Sequence, residues 1–575
     1  MLLRLCICLG LVIVLLSLVL GAAANQRYYL GLVLLGPVAW WGYAARCKSN
    51  VQQRRDLLRA TWGREDARPR DFERIEHYYR ERIGDADPTD SLDNHTWDDL
   101  NLDDIFAKID RTFTTPGETV LYGMLRRPEI DADLLKERGD IIRLWETDQR
   151  GREALQEALL DLGREEYAHL NGLLWGPRPA QVPLQWLYPL LALLALGTVI
   201  TSFLWRVEAW IWLVIPVFAV NLLITYRVRR YVLCSLATLR YLGSLINVGA
   251  MLAKLNSPEV AERAEELTKL ATITSPLART ALLLNPGRGV SGELGDLLNE
   301  YIGTLFLSEV RMYCRVLRDV EDHLEELRRL YWLVGELDAL QSVASFRVGL
   351  PGYADPEFVE DGLLLQLTEG RHPLLSDPVP NSIAIASKGV FVSGSNMAGK
   401  STFLRTVGVN AILAQTISTC CADGYRSSFF RIISSINQAD RLDEGKSYYL
   451  MEAERLLAII RATKGAIPPL CIVDELLRGT NSTERFSASV EILKYLCQQK
   501  AVVVVASHDT DLARTLESHC ENYHFSDQFA ERGLQFDYRL RKGISSTRNA
   551  ITLLDSLGYP PTIVEAARRR LSEVE

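Results

Sequence analysis

Gly394-Ser395-Asn396-Met397-Ala398-Gly399-Lys400-Ser401-Thr402 is the stretch on which the fold turns. It follows an apolar run, Gly389-Val390-Phe391-Val392, and precedes a helical pattern from Phe403 to Ala414. The order is strand, glycine loop, helix, and the spacing Gly-x4-Gly-Lys-Ser fits a phosphate-binding loop. Glycines let the backbone wrap a polyphosphate with its N–H groups pointing inward, and the start of the next helix adds a partial positive charge. In such a loop Lys400 reaches the β and γ phosphates, and Ser401 holds Mg2+ through its hydroxyl. Every residue from Gly394 to Thr402 is thus a candidate contact, with ATP and Mg2+ as the expected ligands. A chance glycine turn is the bland alternative, and the flanking strand and helix speak against it.

A second set of residues follows the loop. Leu470-Cys471-Ile472-Val473-Asp474-Glu475 reads as an apolar strand ending in two carboxylates. Asp474 is a candidate Mg2+ ligand, directly or through water, and Glu475 a candidate for polarising an attacking water. Val502 to Ala506 is another apolar strand, ending in Ser507-His508-Asp509, and His508 is a candidate contact to the γ-phosphate. Singly these signals are weak, because an Asp-Glu pair after a strand is usually a turn and a lone His is usually structural. In this order after a phosphate loop they describe an ABC-type ATPase, in which two nucleotide domains sandwich ATP. Each domain then supplies a serine-containing signature to the other.

The chain has 575 residues, room for three or four domains at about 150 each. Its net charge is −8, and no long basic run asks for nucleic acid on charge alone. Ten cysteines show no paired framework and no C-x2-C, so a zinc site is not expected, and free thiols fit a reducing compartment for the main body.

Four apolar stretches, Leu5–Ala24, Tyr28–Ala45, Val182–Trp205 and Ala209–Tyr226, approach the ~18–20 residues that span a bilayer core. Aromatic residues such as Trp40, Trp41, Trp186 and Tyr226 sit near their ends. Arg46, Lys48, Arg54, Arg55 and Arg59 follow the second stretch, and Arg227, Arg229 and Arg230 the fourth. By the positive-inside rule both hairpins leave and return to the cytoplasm. Ala22-Ala23-Ala24 also fits a signal cleavage site, and either way the second stretch runs outside to inside. The expectation is a multi-pass protein of an inner, cytoplasmic membrane with its ATPase part in the cytoplasm.

The organisation expected from these patterns is a first hairpin over 1–48 and an Arg-rich juxtamembrane linker over 49–95. A helical core over 96–178, a second hairpin over 179–227 and a returning helical core and lever over 228–348 follow. An α/β nucleotide-binding domain occupies 349–575. Ser257-Pro258 reads as a helix start with a capping Ser. Glu309 to Leu340 reads as one long amphipathic helix with a solvated Arg/Glu face. After residue 350 short β-rich runs alternate with helical stretches.

At this point the residues resemble those of the MutS mismatch-repair ATPases. Glu369-Gly370-Arg371-His372-Pro373-Leu374 looks like the family's motif upstream of the phosphate loop, and Asn396 and Met397 inside the loop are a peculiarity of that family. Gly445-Lys446-Ser447-Tyr448-Tyr449-Leu450-Met451-Glu452 resembles its trans-acting signature, which makes Ser447 a candidate contact to a second protomer's nucleotide. Asp474-Glu475 with Arg478-Gly479-Thr480-Asn481-Ser482 resembles its Walker B extension. Arg541 to Ala550, Leu557-Gly558-Tyr559-Pro560 and Val564 to Leu571 resemble the C-terminal end, where helices support dimerisation. Asp110-Arg111-Thr112, Leu125-Arg126-Arg127-Pro128 and Glu336 to Ala344 are similar to its helical core and lever. The resemblance implies a homodimer that binds mismatched or branched DNA and is switched by ATP.

The departures are as informative. Apolar hairpins stand where the family carries a mismatch-reading domain with a Phe-x-Glu wedge. Phe358-Val359-Glu360 has the letters but sits just before the ATPase part. Ser395 and Ala398 replace the usual Pro and Gly, and the aromatic that commonly stacks on adenine is missing near Pro378-Val379-Pro380. Two functions compete: the family's DNA repair switch, and a membrane-tethered ATP switch acting on a protein or envelope partner without DNA. A transporter is weaker, since no intramembrane ionisable residue marks a pathway.

Overall fold

A computed structural model describes residues 40, 51–83, 91–165, 169–177, 184–205, 211–283, 301–360, 362–386, 388–395, 398–436, 448–477, 481–530, 533–544, 554 and 558–574. Apart from Trp40, the first expected hairpin lies outside them. The order is a helical body followed by an α/β region with two sheets.

The body begins with a helix over 51–61 and with α1 (Phe72–Ile83), followed by α2 (Asn94–Asp99), α3 (Leu102–Ile109) and α4 (Thr115–Arg126). Next come α5 (Ala132–Thr147), α6 (Gln149–Leu162), α7 (Leu187–Trp205) and α8 (Ile211–Leu252). Then α9 (Ala261–Leu283), α10 (Ser308–Asp322) and α11 (Leu324–Val348) complete it. Short polar side chains start several of these helices. Asp93, Thr114, Asp131 and Asp148 each accept a backbone N–H of the first turn. Ser257 does not, and a 3-10 turn over Pro258–Val260 precedes α9 there. α4 is buried along its whole length and packs closely on α11. A Cβ at Gly335 would lie 2.6 Å from Val120 Cγ2, so only glycine allows that approach.

Two helical expectations change. The helix expected over Glu309 to Leu340 breaks at His323; in α11 Glu325 and Arg329 stay exposed, while Glu336 is buried. The Arg-rich segment expected as a linker packs on the body instead. Arg54, Arg55 and Arg59 pair with Asp161, Glu157 and Glu153 of α6. Arg68 and Arg70 reach the fully buried Asp110.

The membrane expectation is corrected. Among the described residues no helix is long and apolar enough to cross a membrane. The fourth apolar stretch is not a freestanding span but the first part of a 42-residue helix, α8. That helix carries on into the body, where Leu239, Leu242 and Leu245 are fully buried. Asn221 lies in the apolar part, fully buried, and donates to the Leu305 carbonyl (2.6 Å). On α7, Tyr188, Ala192 and Ala195 are buried, while Leu190, Leu193 and Leu194 are exposed.

In the α/β region, β1 (Pro356–Phe358), β2 (Leu365–Gly370), β3 (Asn381–Ile385) and β5 (Gly424–Ser427) form a sheet in the order β1-β5-β2-β3. The second sheet has the order β10-β9-β4-β8-β7-β6. Its strands are β4 (Gly389–Ser393), β6 (Arg431–Ser435), β7 (Pro469–Asp474), β8 (Val502–Ser507), β9 (Cys520–Ala530) and β10 (Gly533–Lys542). All pairings in it are parallel except β9 with β10. Central β4, β7 and β8 are buried throughout, as a parallel sheet covered on both faces requires. The helices are α12 (Lys400–Ile417), α13 (Tyr448–Ala462), α14 (Ser482–Gln498), α15 (Thr510–Thr515) and α16 (Pro561–Val574). One apolar core runs from α4 and α11 into α12, so body and sheet are packed together. Phe358 stacks on Phe429 (centroids 4.4 Å apart), which gives that ring a packing role.

Candidate nucleotide-binding site

The C-terminal ends of β4, β7 and β8 lie side by side, with Ser393 opposite Ser507 and Asp474 opposite Ala506. Whatever follows each strand therefore meets at one edge, where open parallel sheets bind ligands. After β4 comes the glycine loop. Gly394 has φ +143 and Gly399 φ +101, conformations that favour glycine. A Cβ at Gly394 would press on the Phe525 carbonyl at 2.9 Å. Gly399 caps α12 without a side-chain bond, so the helix's first N–H groups face the loop. Asn396 and Met397 lie outside the described residues.

Lys400 is almost fully buried, and its Nζ donates to the Gly394 carbonyl at 2.7 Å, across the mouth of the loop. The Ser401 hydroxyl donates to the Asp474 carboxylate, which joins the loop to the end of β7. Glu475 follows with φ +53 and donates its N–H to the Ala506 carbonyl (2.8 Å). This bond to β8 holds Glu475 in a backbone region that a side chain rarely adopts. Its carboxylate meets His508 Nδ1 at 2.8 Å, with His508 half-exposed and Glu475 mostly buried. Two direct contacts, Ser401 with Asp474 and Glu475 with His508, thus tie neighbouring positions of the loop, β7 and β8 together, with Lys400 next to Ser401 in the chain. Thr402 lines the neighbouring cavity. Ser447 lies outside the described residues, just ahead of α13, whose Tyr449 and Leu450 are exposed.

The residues present suit a nucleotide with Mg2+. A hydroxyl and a carboxylate oxygen converge, and Mg2+ prefers such hard donors while filling its other positions with water and phosphate. No group of three or more His, Cys, Asp or Glu among the described residues could hold a metal by itself. Beside the loop, Ser395 Oγ and His372 Nε2 are buried without a hydrogen-bond partner, as expected of groups that face a polar ligand.

A cavity of about 470 Å3 adjoins the loop, within the size range of ligand pockets. His372, Val379, Asn381, Thr402, Phe403 and Tyr538 line it. Burial, with nearby Arg405, pushes His372 down to about 4, so its imidazole is neutral near pH 7. Sequence reasoning missed Tyr538. Its ring lies over Gly399, 3.2 Å from where a Cβ would be. The residue has φ +54 in a bulge where β10 shifts register between Phe536 and Leu540, and Asn381 Nδ2 donates to its carbonyl (3.0 Å). An aromatic ring is therefore present beside the loop, supplied by β10 rather than by the segment around Val379. Nothing in the spacing marked it, because a strand some 140 residues away in sequence brings it there.

Residues 390–575 match the family model described as MutS domain V. The chain is 32% identical over 253 residues to a DNA mismatch repair protein MutS of Thermus thermophilus, covering 43% of this chain and 30% of that protein. It is 30% identical over 279 residues to the DNA mismatch repair protein MutS of Aquifex pyrophilus (46% and 32%). Against the human MutS protein homolog 4 the identity is 26% over 301 residues (49% and 31%). The chain thus spans about a third of the length of these curated relatives.

Proposed function

We propose that the C-terminal part of the chain, from residue 349 on, is the ATP-binding and ATP-hydrolysing switch of a MutS-family protein, as the match of residues 390–575 to MutS domain V supports. One observation carries the reading. The loop's Ser401 touches Asp474, and the next residue, Glu475, is held by His508 from the neighbouring strand. Lys400 binds the β and γ phosphates, exchanging its hold on the Gly394 carbonyl for phosphate oxygens. Residues 394–402 cradle the phosphates with backbone N–H groups. Ser401 and Asp474 hold Mg2+, which when bound neutralises phosphate charge. Glu475 takes the proton of the attacking water, and His508 keeps the carboxylate aimed and faces the γ-phosphate. Ser447 of a second copy completes the pocket, so the active form is a homodimer.

The short helix α2 couples this site to the body. Asp99 accepts from Ser434 Oγ (2.7 Å) and the Ile436 N–H (2.9 Å) at the end of β6. Its own carbonyl accepts from Arg405 Nε (2.8 Å) on the helix that begins with Lys400. A shift of that helix on closing thus pulls on the body.

The relatives named as DNA mismatch repair proteins support DNA, mismatched or branched, as what the body grips. One observation favours a protein partner instead. Arg68, Arg70, Arg164 and Arg263 face internal carboxylates rather than a groove, in a chain of net charge −8. The salt dependence of binding to mismatched, branched and homoduplex DNA separates the two. Saturable binding with a steep salt slope supports DNA, and no binding near physiological salt supports the protein partner.

The switch itself is tested by turnover. Lys400→Ala is expected to lower ATP hydrolysis at least ~100-fold, and Glu475→Gln to accumulate an ATP-bound dimer by light scattering. A Lys400→Ala protein that hydrolyses ATP at the wild-type rate would refute the site.

A further inference from the structure

A second cleft, of about 550 Å3, lies between the helical body and the edge of the six-stranded sheet. It shares no lining residue with the cavity beside the glycine loop. Arg82 of α1, Arg127 at the end of α4, Arg138 of α5 and Arg431 of β6 line it. Among the described lining residues Glu129 is the one carboxylate, and it pairs with Arg138 at 3.2 Å.

Arg82, partly buried, and Arg138, buried, both have hydrogen-bonding capacity to spare. Arg82 Nη1 is buried and has no hydrogen-bond partner. Its guanidinium rests on the Trp332 ring, 4.7 Å from the centroid. Gly123 makes the room, since a Cβ there would collide with that guanidinium. Arg138 is only 4% exposed. Its Nη1 donates to the Thr416 carbonyl (2.9 Å) and its Nη2 to Glu129 (3.2 Å), while Nε has no partner. Several other buried arginines of the body meet carboxylates, as Arg263 meets Glu336 at 2.9 Å. Leaving a buried charge uncompensated is strongly unfavourable. Burial accordingly pushes Arg82 below the usual arginine range.

We propose that this cleft binds a small organic ligand through a phosphate or pyrophosphate group, with Arg82, Arg138 and Arg431 as its anion contacts. Planar guanidinium forks match phosphate oxygens two at a time. The volume suits a nucleotide-sized molecule, and the Trp332 face offers an apolar wall to its organic part. The occupant bridges body and sheet, because Arg82 and Arg138 belong to the first and Arg431 to the second. It therefore bears on the same joint, β6 against α2, that links the glycine loop to the body.

The test is calorimetric titration of the full-length chain with inorganic pyrophosphate in a Lys400→Ala background, which removes binding at the glycine loop. Saturable binding is expected, weakened about tenfold or more by Arg82→Gln and by Arg431→Gln. Gly123→Ala, which displaces the Arg82 guanidinium, should weaken it similarly. Arg431 is only half-buried at the sheet edge, so its variant remains informative even where Arg82→Gln disturbs folding. A nucleoside monophosphate should compete with pyrophosphate. No saturable binding, or binding unchanged in the Arg431 variant, overturns the proposal. So does equal affinity for sulfate, and so does a 5′-phosphorylated oligonucleotide competing better than the mononucleotide.

Discussion

The helical body and the α/β region hold their charged groups in opposite ways. In the body, buried arginines and carboxylates neutralise one another. Arg68 and Arg70 meet Asp110, while Arg74 and Arg164 meet Glu118. Asp338 accepts from the N–H groups of Phe113 (3.1 Å) and Thr114 (2.8 Å) and from the Thr114 hydroxyl. Around the glycine loop, by contrast, some polar groups keep capacity open, as His372 Nε2 beside the cavity and Ser395 Oγ in the loop do. Charges in the first region are fastened to one another and hold helices together. In the second they are presented to something else. Arg82, in the cleft between body and sheet, departs from this pattern, since its Nη1 is buried without a hydrogen-bond partner, and for that reason the cleft reads as a site.

The comparison breaks most visibly at Asp110. This carboxylate is fully buried, and although burial pushes it up, the guanidinium of Arg68 with its neighbours holds it below the usual carboxylate range. Asp110→Asn removes the charge but little volume. It leaves Arg68 and the almost buried Arg70 facing a neutral amide. The expected loss is about 3–5 kcal/mol of unfolding free energy, read by urea denaturation. A loss under ~1 kcal/mol would mean that these clusters do not hold the body.

The α/β side is sharpened by a smaller effect, at His372. Burial lowers its folded-state value to about 4, against an ordinary 6.5. The unfolded chain therefore takes up a proton as pH falls below 6.5, while the folded one does not until about 4. Stability from this group is fully present above pH 6.5 and is lost as pH falls toward 4. The ceiling is about 3 kcal/mol, from ~1.4 kcal/mol per unit. A His372→Gln chain should show a correspondingly flatter fall in urea midpoint between pH 6.5 and 4.5. Equal slopes in both chains would place a protonated, partnered imidazole in the folded state instead.

The same contrast explains what could be read in the sequence. The glycine loop and the carboxylates after β7 were legible because their chemistry depends on neighbours along the chain. Gly394 and Lys400 belong to one turn, and Asp474 and Glu475 end one apolar run. The clusters of the body were not legible, because Arg68 finds Asp110 across 42 positions and Arg263 finds Glu336 across 73. An Arg-rich segment of unknown partners reads as a solvated linker. Tyr538 was missed for the same reason, since a register shift in β10 places it. Hydropathy misled at Ala209–Tyr226, because it reports on the apolar part of a helix and not on where that helix goes next. The structure continues it as α8 to Leu252, buried among the helices of the body.

The smallest effect tests whether burial, rather than the mere presence of ion pairs, sets the contrast. Arg54 and Asp161 pair at 2.7 Å, as short as many buried contacts, yet their side chains are 55% and 52% exposed. In water the attraction is screened, and two long side chains lose freedom to meet. Arg54→Ala should therefore cost only about 0–1 kcal/mol by urea denaturation, and less in high salt. If it instead matched Asp110→Asn, the docking of helix 51–61 on α6 would be as important to the body as its buried clusters. The distinction between neutralised interior charge and solvated rim charge would then fail.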